Sequence, residues 1–361
     1  MRHASARTAR DERRLRRALG AAAALAACLG GPTACGGGDA TEEPPPVDVQ
    51  PTYPYPLDDV LRFEHLQAKS THNSYHVETP GNTLEAWHYT HAPLGEQLAV
   101  QGVRHVEIDV RRDAATGSFV VYHLPIVDEQ TTCRQFTDCL QALKSWSDGH
   151  RAHHPLAVHL ESKDGTQADF EGYFAALHAA ILSVWPVERI VTPALVKGAH
   201  ASLPEALATD GWPTLGELRG KILFTLDDAG QFRDAYTHGG GDLDGRLIFP
   251  NSDPGVPYAG YAVLNDPVGE AGAIAAALAA HMLVRTRADG DVVEPLAGDT
   301  TRREAALASG AQFVSTDFPV EVPDVAYSVT IPGGTPTRCN PVTAPAECTA
   351  EALEDPAFVG P

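Results

Sequence analysis

A chain of 361 residues carrying 47 acidic against 27 basic side chains has a formal charge of −20, which argues against nucleic acid as a partner because like charge repels a phosphate backbone. Without its arginine-rich first 35 residues the remainder holds 20 basic and 45 acidic groups, a charge of −25. Engagement of an anionic bilayer would then rest on apolar contacts, a bound cation or an N-terminal anchor.

The opening RHASARTARDERRLRRALGAAAALAACLGG joins an arginine-rich start to an apolar run and then small residues, the layout of a secretory signal. Its apolar part is far shorter than the roughly 20 residues of a membrane-spanning helix. Leu25-Ala26-Ala27-Cys28 reads as a lipobox, which would make Cys28 the lipidated first residue of a mature lipoprotein; an ordinary signal-peptide cysteine is the alternative. Cys35 is a second candidate, with Pro32 where a branched apolar residue is wanted. An extracytoplasmic protein is expected, secreted or anchored to a membrane surface. Residues 36–56, rich in Gly, Pro and acid, read as a tether.

From residue 57 to 320 no comparable linker appears, and a single domain of that length suits a (β/α)₈ barrel. The β-branched runs Leu66–Ser70, Val103–Val110, Phe119–His123, Leu156–Glu161, Ile222–Leu226, Leu247–Pro250, Met282–Thr286 and Gln312–Thr316 supply eight strands. Helical patterns fall over 134–147, 168–184, 270–281 and 301–309. The fold class is therefore α/β, a TIM-type barrel with room for distortion. A doubly wound sheet is the alternative, but no glycine-rich phosphate loop follows a strand. Residues 321–361 are too rich in Pro to continue the crossovers and form a tail over the barrel. Cys133 with Cys139, and Cys339 with Cys348, lie close enough in sequence for disulfides in an oxidising compartment; neither pair has the spacing or histidines of a zinc module.

In VRHVEIDV the period of two puts His105, Glu107 and Asp109 on one strand face and Val106, Ile108 and Val110 on the other. The apolar row wants the helices, so the two carboxylates point into the barrel, which is costly without a cation between them. In PLAVHLESK, Glu161 shares a face with His159 and Lys163 and ends its strand. Asp109, His123 and Glu161 thus converge on the carboxyl-end rim, where barrels place their active sites. Such oxygen ligands suit Ca2+ or Mg2+ rather than zinc, with Ca2+ favoured outside the cytoplasm. His72 in AKSTHNSYH and His123 in FVVYHLP carry little information singly, as loop and core histidines are common.

Taken together, LQAKSTHNSYH, VRHVEIDV, FVVYHLP, TTCRQFTDCLQALKSWSDGH, PLAVHLESKD, GWPTLGELRGKILFTLDD and FVSTDFP, in this order, resemble the bacterial calcium-dependent phosphatidylinositol-specific phospholipases C. A shorter set also resembles the catalytic barrel of the eukaryotic phosphoinositide phospholipases C. The resemblance implies His72 and His123 as catalytic histidines, Asn73, Glu107, Asp109 and Glu161 as calcium ligands, and a phospholipid or related phosphodiester as substrate. Lys163 is implied as a phosphate or inositol contact. Arg285 and Asp317, where later strands meet the rim, are weaker substrate-site candidates that structural ion pairing explains equally well.

The chemistry is coherent on physical grounds. For a substrate of the kind the resemblance implies, a neighbouring ring hydroxyl would attack phosphorus internally, a ligand carboxylate, Glu107 or Asp109, would take its proton, and His123 would protonate the leaving alkoxide while His72 stabilises charge on phosphorus. His150, His153 and His154 read as a polar loop, His105 and His159 as core groups of the lower barrel, and His76, His88 and His91 as neighbours of the first loop. The rival readings are a glycerophosphodiester phosphodiesterase, whose early His-Arg signature is missing here, a metal-independent phospholipase C using arginine, and a noncatalytic head-group-binding lipoprotein.

Overall fold

The computed structural model describes residues 53–360 apart from 82, 166, 334 and 335. The leader, Cys28, Cys35 and most of the proposed tether lie outside the described residues. Among the described residues no helix is long and apolar enough to cross a membrane.

Eight parallel strands form the frame: β1 Leu66–Thr71, β2 Val103–Arg112, β3 Leu156–Ser162, β4 Ile222–Leu226, β5 Phe249–Pro250, β6 Tyr261–Val263, β7 Leu283–Arg287 and β8 Phe313–Thr316. Ladders join β8 to β1, then β2, β3, β4 and β5 in turn, and β6 joins β7, which joins β8. The curled sheet meets itself at a thin seam, the single parallel bridge Asn251–Tyr261, buttressed by the Val263 amide on the Asn251 side chain at 3.0 Å. This is the expected TIM-type α/β fold, distorted at one join.

One strand differs from expectation. Phe119–Val120 is not in the ring; it pairs antiparallel with Arg111 and Arg112, where the ten-residue β2 overshoots the rim. The turn between them is tied by the Asp113 carboxylate, which accepts from the Ala115 and Thr116 amides at 3.0 and 2.8 Å. Alternation marks a strand without saying which ladder it joins. The ring place belongs instead to Tyr261–Val263, a strand of three residues directly after Gly260, too short to display a period. Helices Phe136–Gly149, Phe170–Leu182, Ala271–Ala279 and Thr301–Ala308 fall where the pattern put them.

Both faces of β2 are buried: Val106, Ile108 and Val110 under the helices, His105, Glu107 and Asp109 inside the barrel. His105 fills the lower interior, stacked 4.4 Å from Phe313 with Nδ1 2.5 Å from Ser70 Oγ, and His159 Nδ1 meets Thr225 Oγ1 at 3.0 Å. Burial holds His105 neutral, its pKa well below the ordinary value.

The tail closes the amino-end mouth. Thr337–Cys339 runs antiparallel to the first residues of β1, and Glu354 meets Arg104 Nε at 2.7 Å with both side chains fully buried. Arg219 donates to the Ala352 and Leu353 carbonyls at 3.1 and 2.5 Å. Cys339–Cys348 staples this segment, and Cys133–Cys139 ties the approach to helix 136–149. His153 and His154, expected in a polar loop, are instead completely buried, because the tail covers them: His154 Nε2 lies 2.6 Å from Thr337 Oγ1. Tyr55, in the stretch assigned to the tether, packs under Arg219 at 3.7 Å and takes the Asp355 amide on its hydroxyl at 3.1 Å.

Candidate active site and cation cluster

The carboxyl ends of β1, β2, β3, β7 and β8 supply the rim. Directly after β1 the chain turns through Asn73, whose φ of 42° is a left-handed conformation that asparagine tolerates better than most residues. Ser74 locks this turn onto β2, its amide donating to the Glu107 carbonyl at 2.9 Å and its hydroxyl accepting the Glu107 amide at 2.8 Å. His72 and Asn73 are thereby held over the inward face of β2.

Glu107, Asp109 and Glu161 can each offer a ligand oxygen, all within 4.8 Å of one another. Glu107 and Asp109 are buried, whereas Glu161 is partly exposed. The counter-charge of the Asp109 carboxylate is the Lys163 ammonium, 3.1 Å from Oδ2, which also touches Glu161, and no well-aligned hydrogen bond otherwise satisfies its oxygens. Burial pushes the Asp109 carboxyl well above its usual range, against the pull of Lys163, with Glu161 and Glu107 adding to the rise. Burial raises Glu107 too, but the Arg285 guanidinium on its Oε2, with His72 nearby, brings it below its ordinary value. Three carboxylates whose oxygens lie this close are the donor set of a hard divalent cation, and the residues present fit one. Asn73 Oδ1 accepts from the Tyr75 hydroxyl at 3.2 Å.

Both rim histidines are backed by buried aspartates. His72 Nδ1 lies 2.8 Å from Asp317, whose other oxygen takes Arg287 Nη2 at 2.9 Å. Burial alone would raise Asp317, but His72 and Arg287 hold it far below the usual carboxylate range. His123 Nδ1 lies 2.9 Å from Asp128, which also engages His76 Nε2 at 3.0 Å and Thr79 Oγ1 at 3.2 Å. Burial draws the His123 pKa below its ordinary value, while the Asp128 bond opposes that shift. With Nδ1 committed in each ring, Nε2 is the atom left for chemistry, and these side chains keep 20% and 19% exposure. His91, with a pKa pulled down to about 4 by burial, is neutral and donates to the His72 carbonyl at 2.8 Å.

The sequence reading brings His72, Asn73, Glu107, Asp109, His123, Glu161 and Lys163 to the rim side of the barrel. Arg285 and Asp317, its weaker substrate-site candidates, are buried and committed, Arg285 to Glu107, Asn265 and Ser315, Asp317 to His72 and Arg287. It missed Asp128 and Arg287. Asp128 sits in an irregular loop with no period to announce it, whereas Arg287 shares strand parity with Arg285, the same signal that singled out Glu107 and Asp109.

A parallel barrel carrying an acidic cation cluster and two aspartate-backed histidines on its carboxyl-end rim is the framework of a metal-assisted phosphodiesterase. The family described as phosphoinositide phospholipase C, Ca2+-dependent, matches residues 61–122 and 118–341. The chain belongs to that family, and is accordingly a phospholipase C-type enzyme with calcium as its cofactor. The solved structure of the calcium-dependent phosphatidylinositol-specific phospholipase C of Streptomyces antibioticus is similar at a TM-score of 0.54 and 21% identity, covering 72% of this chain and 95% of that one. The apo calcium-dependent phosphoinositol-specific enzyme of a Pseudomonas species gives 0.55 and 20%, covering 79% and 97%, and its myoinositol complex gives 0.54. At these identities the likeness speaks for the fold. No curated protein matches the sequence.

Proposed function

We propose that this enzyme cleaves an inositol phospholipid to diacylglycerol and a cyclic inositol phosphate by internal hydroxyl attack. The observation that carries this reading is the cluster of Glu107, Asp109 and Glu161, with Asp109 buried and met only by the Lys163 ammonium, beside two histidines each seated on a buried aspartate.

Asn73, Glu107, Asp109 and Glu161 would hold calcium, which when bound acidifies the attacking hydroxyl and offsets charge growing on the phosphoryl oxygens. Glu107 is locked by the buried Arg285, whereas Asp109 is countered only by the more mobile Lys163 ammonium, so Asp109 is the better placed carboxylate to take the hydroxyl proton. The ring oxygen bonds to phosphorus as the bond to glycerol oxygen breaks. The His123 imidazolium, stabilised by Asp128 on its Nδ1–H, delivers the Nε2 proton to that oxygen and is left neutral. His72, oriented by Asp317 and Arg287, donates from Nε2 to the phosphoryl group. Arg285 and Asp317 act through these partners, as positioning residues. A later attack by water on the cyclic product would release the open monophosphate.

The membrane side of the rim is the loop beside His123. Ile126 is 93% exposed and holds a φ of 72°, a strained conformation for a β-branched residue, and its neighbour Val127 is 53% exposed. Trp87 packs 5.4 Å from the His123 ring. An apolar tip on a strongly acidic chain suits a peripheral bilayer contact, made without attraction to anionic lipid.

The test is phosphorus NMR of products from phosphatidylinositol in phosphatidylcholine vesicles, with calcium and with chelator. A cyclic inositol phosphate formed only with calcium is expected. Turnover of glycerophosphocholine but not of the inositol lipid would instead identify a glycerophosphodiesterase, and head-group binding without turnover a noncatalytic protein. In the same assay Ile126→Asp should depress vesicle turnover about tenfold while sparing a soluble inositol phosphodiester, since burying one such side chain contributes about 1.5–3 kcal/mol. Equal loss on both substrates would rule out a membrane role for the loop.

A further inference from the structure

Two side-chain cations touch the carboxylate cluster, and they are held differently. Arg285 is 2% exposed and fixed by Glu107, Asn265 and Ser315, so it has nowhere to go. Lys163 is pinned only by its backbone, its amide donating to the Val110 carbonyl at 3.0 Å and its own carbonyl accepting from Arg111 Nη1 at 3.2 Å. Its side chain retains 18% exposure, and among the described residues its ammonium meets no acceptor but Asp109 and Glu161. The ammonium therefore sits on two of the three carboxylates that would bind a metal ion.

Charge decides whether both cations can stay. With Arg285 and Lys163 in place, the three carboxylates leave one net negative charge. Adding a divalent ion beside the ammonium would make the cluster positive, whereas exchanging the one for the other makes it neutral. Like charges in so small and buried a space repel strongly, and a lysine on a flexible four-carbon stem is free to leave.

Resting on the calcium reading above, we propose that Lys163 is an intramolecular competitor of calcium, an internal counter-ion that steadies the metal-free cluster and is expelled when the metal loads. The expelled ammonium reaches the open side of the rim, where the phosphate of a substrate is its natural acceptor. Calcium then binds before substrate, and each calcium loaded unmasks one phosphate-binding cation.

The experiment is calcium titration calorimetry on the substrate-free full-length protein, with Lys163→Met and Lys163→Gln beside the wild type, and thermal melts with and without calcium. Both variants should bind calcium about tenfold or more tightly, a coupling of ordinary size between competing ligands. They should melt below the wild type only when calcium is absent. In turnover assays their KM for the inositol lipid should rise. Calcium affinity equal to or weaker than wild type in both variants would overturn the competition while leaving the calcium site standing. Absence of calcium binding in wild type and variants alike would overturn the competition and the metal assignment together, and Asp109→Asn, which should abolish binding, serves as the reference for that outcome.

Discussion

Replacing His123 with alanine is expected to lower kcat on phosphatidylinositol by about 10²–10⁴-fold, the range a positioned general acid contributes, with calcium affinity unchanged. The substitution removes the ring and little else, because Asp128 stays held by His76 at 3.0 Å and Thr79 at 3.2 Å. Asp128→Asn should fall in the same direction, since an amide in place of the carboxylate at 2.9 Å no longer stabilises the imidazolium that carries the Nε2 proton for the leaving group. A substrate with a good leaving group, such as an aryl inositol phosphate, should recover much of the lost rate in His123→Ala, because its departure needs no proton. Full activity of His123→Ala on the lipid, or an equal defect on both substrates, would assign the proton to another group.

At the opposite end of the barrel, Glu354→Ala is expected to destabilise the protein by about 3–5 kcal/mol, the usual cost of stranding one member of a buried pair. Arg104 would keep only its bonds to the Leu98 and Val103 carbonyls at 2.8 and 2.9 Å, and its Nη2 has no partner even now. The paired replacement Arg104→Met with Glu354→Leu should be far milder, as no buried charge is then left uncompensated. Chemical unfolding of the two variants beside the wild type measures this. A single substitution within 1 kcal/mol of wild type, by about the scatter of ordinary surface changes, would mean that the tail does not seal the mouth. Turnover at a temperature where the variants remain folded should be unaffected, because the pair lies across the barrel from the rim.

The acidic cluster was legible because β2 obeys a strict period: a row of Val106, Ile108 and Val110 leaves His105, Glu107 and Asp109 no direction but inward. What the period could not convey was partnership. Asp317 was visible at the end of its strand, but its bonds to His72 and Arg287 join residues brought together only by closure of the ring. Asp128 lies in a loop whose shape depends on tertiary contacts with His76 and His123. The exchange of Phe119–Val120 for Tyr261–Val263 as a ring strand has a similar origin, since a hairpin extension and a barrel strand carry the same alternation. The burial of His153 and His154 followed from a tail whose docking no local pattern announces.

The most direct measurement is a crystal structure of the protein grown with calcium, with anomalous scattering used to place the ion. The expected result is one ion bonded at about 2.3–2.6 Å to oxygens of Asn73, Glu107, Asp109 and Glu161, beneath the Nε2 atoms of His72 and His123. A fully loaded crystal whose only calcium lies elsewhere, with Asp109 still bare, would contradict it.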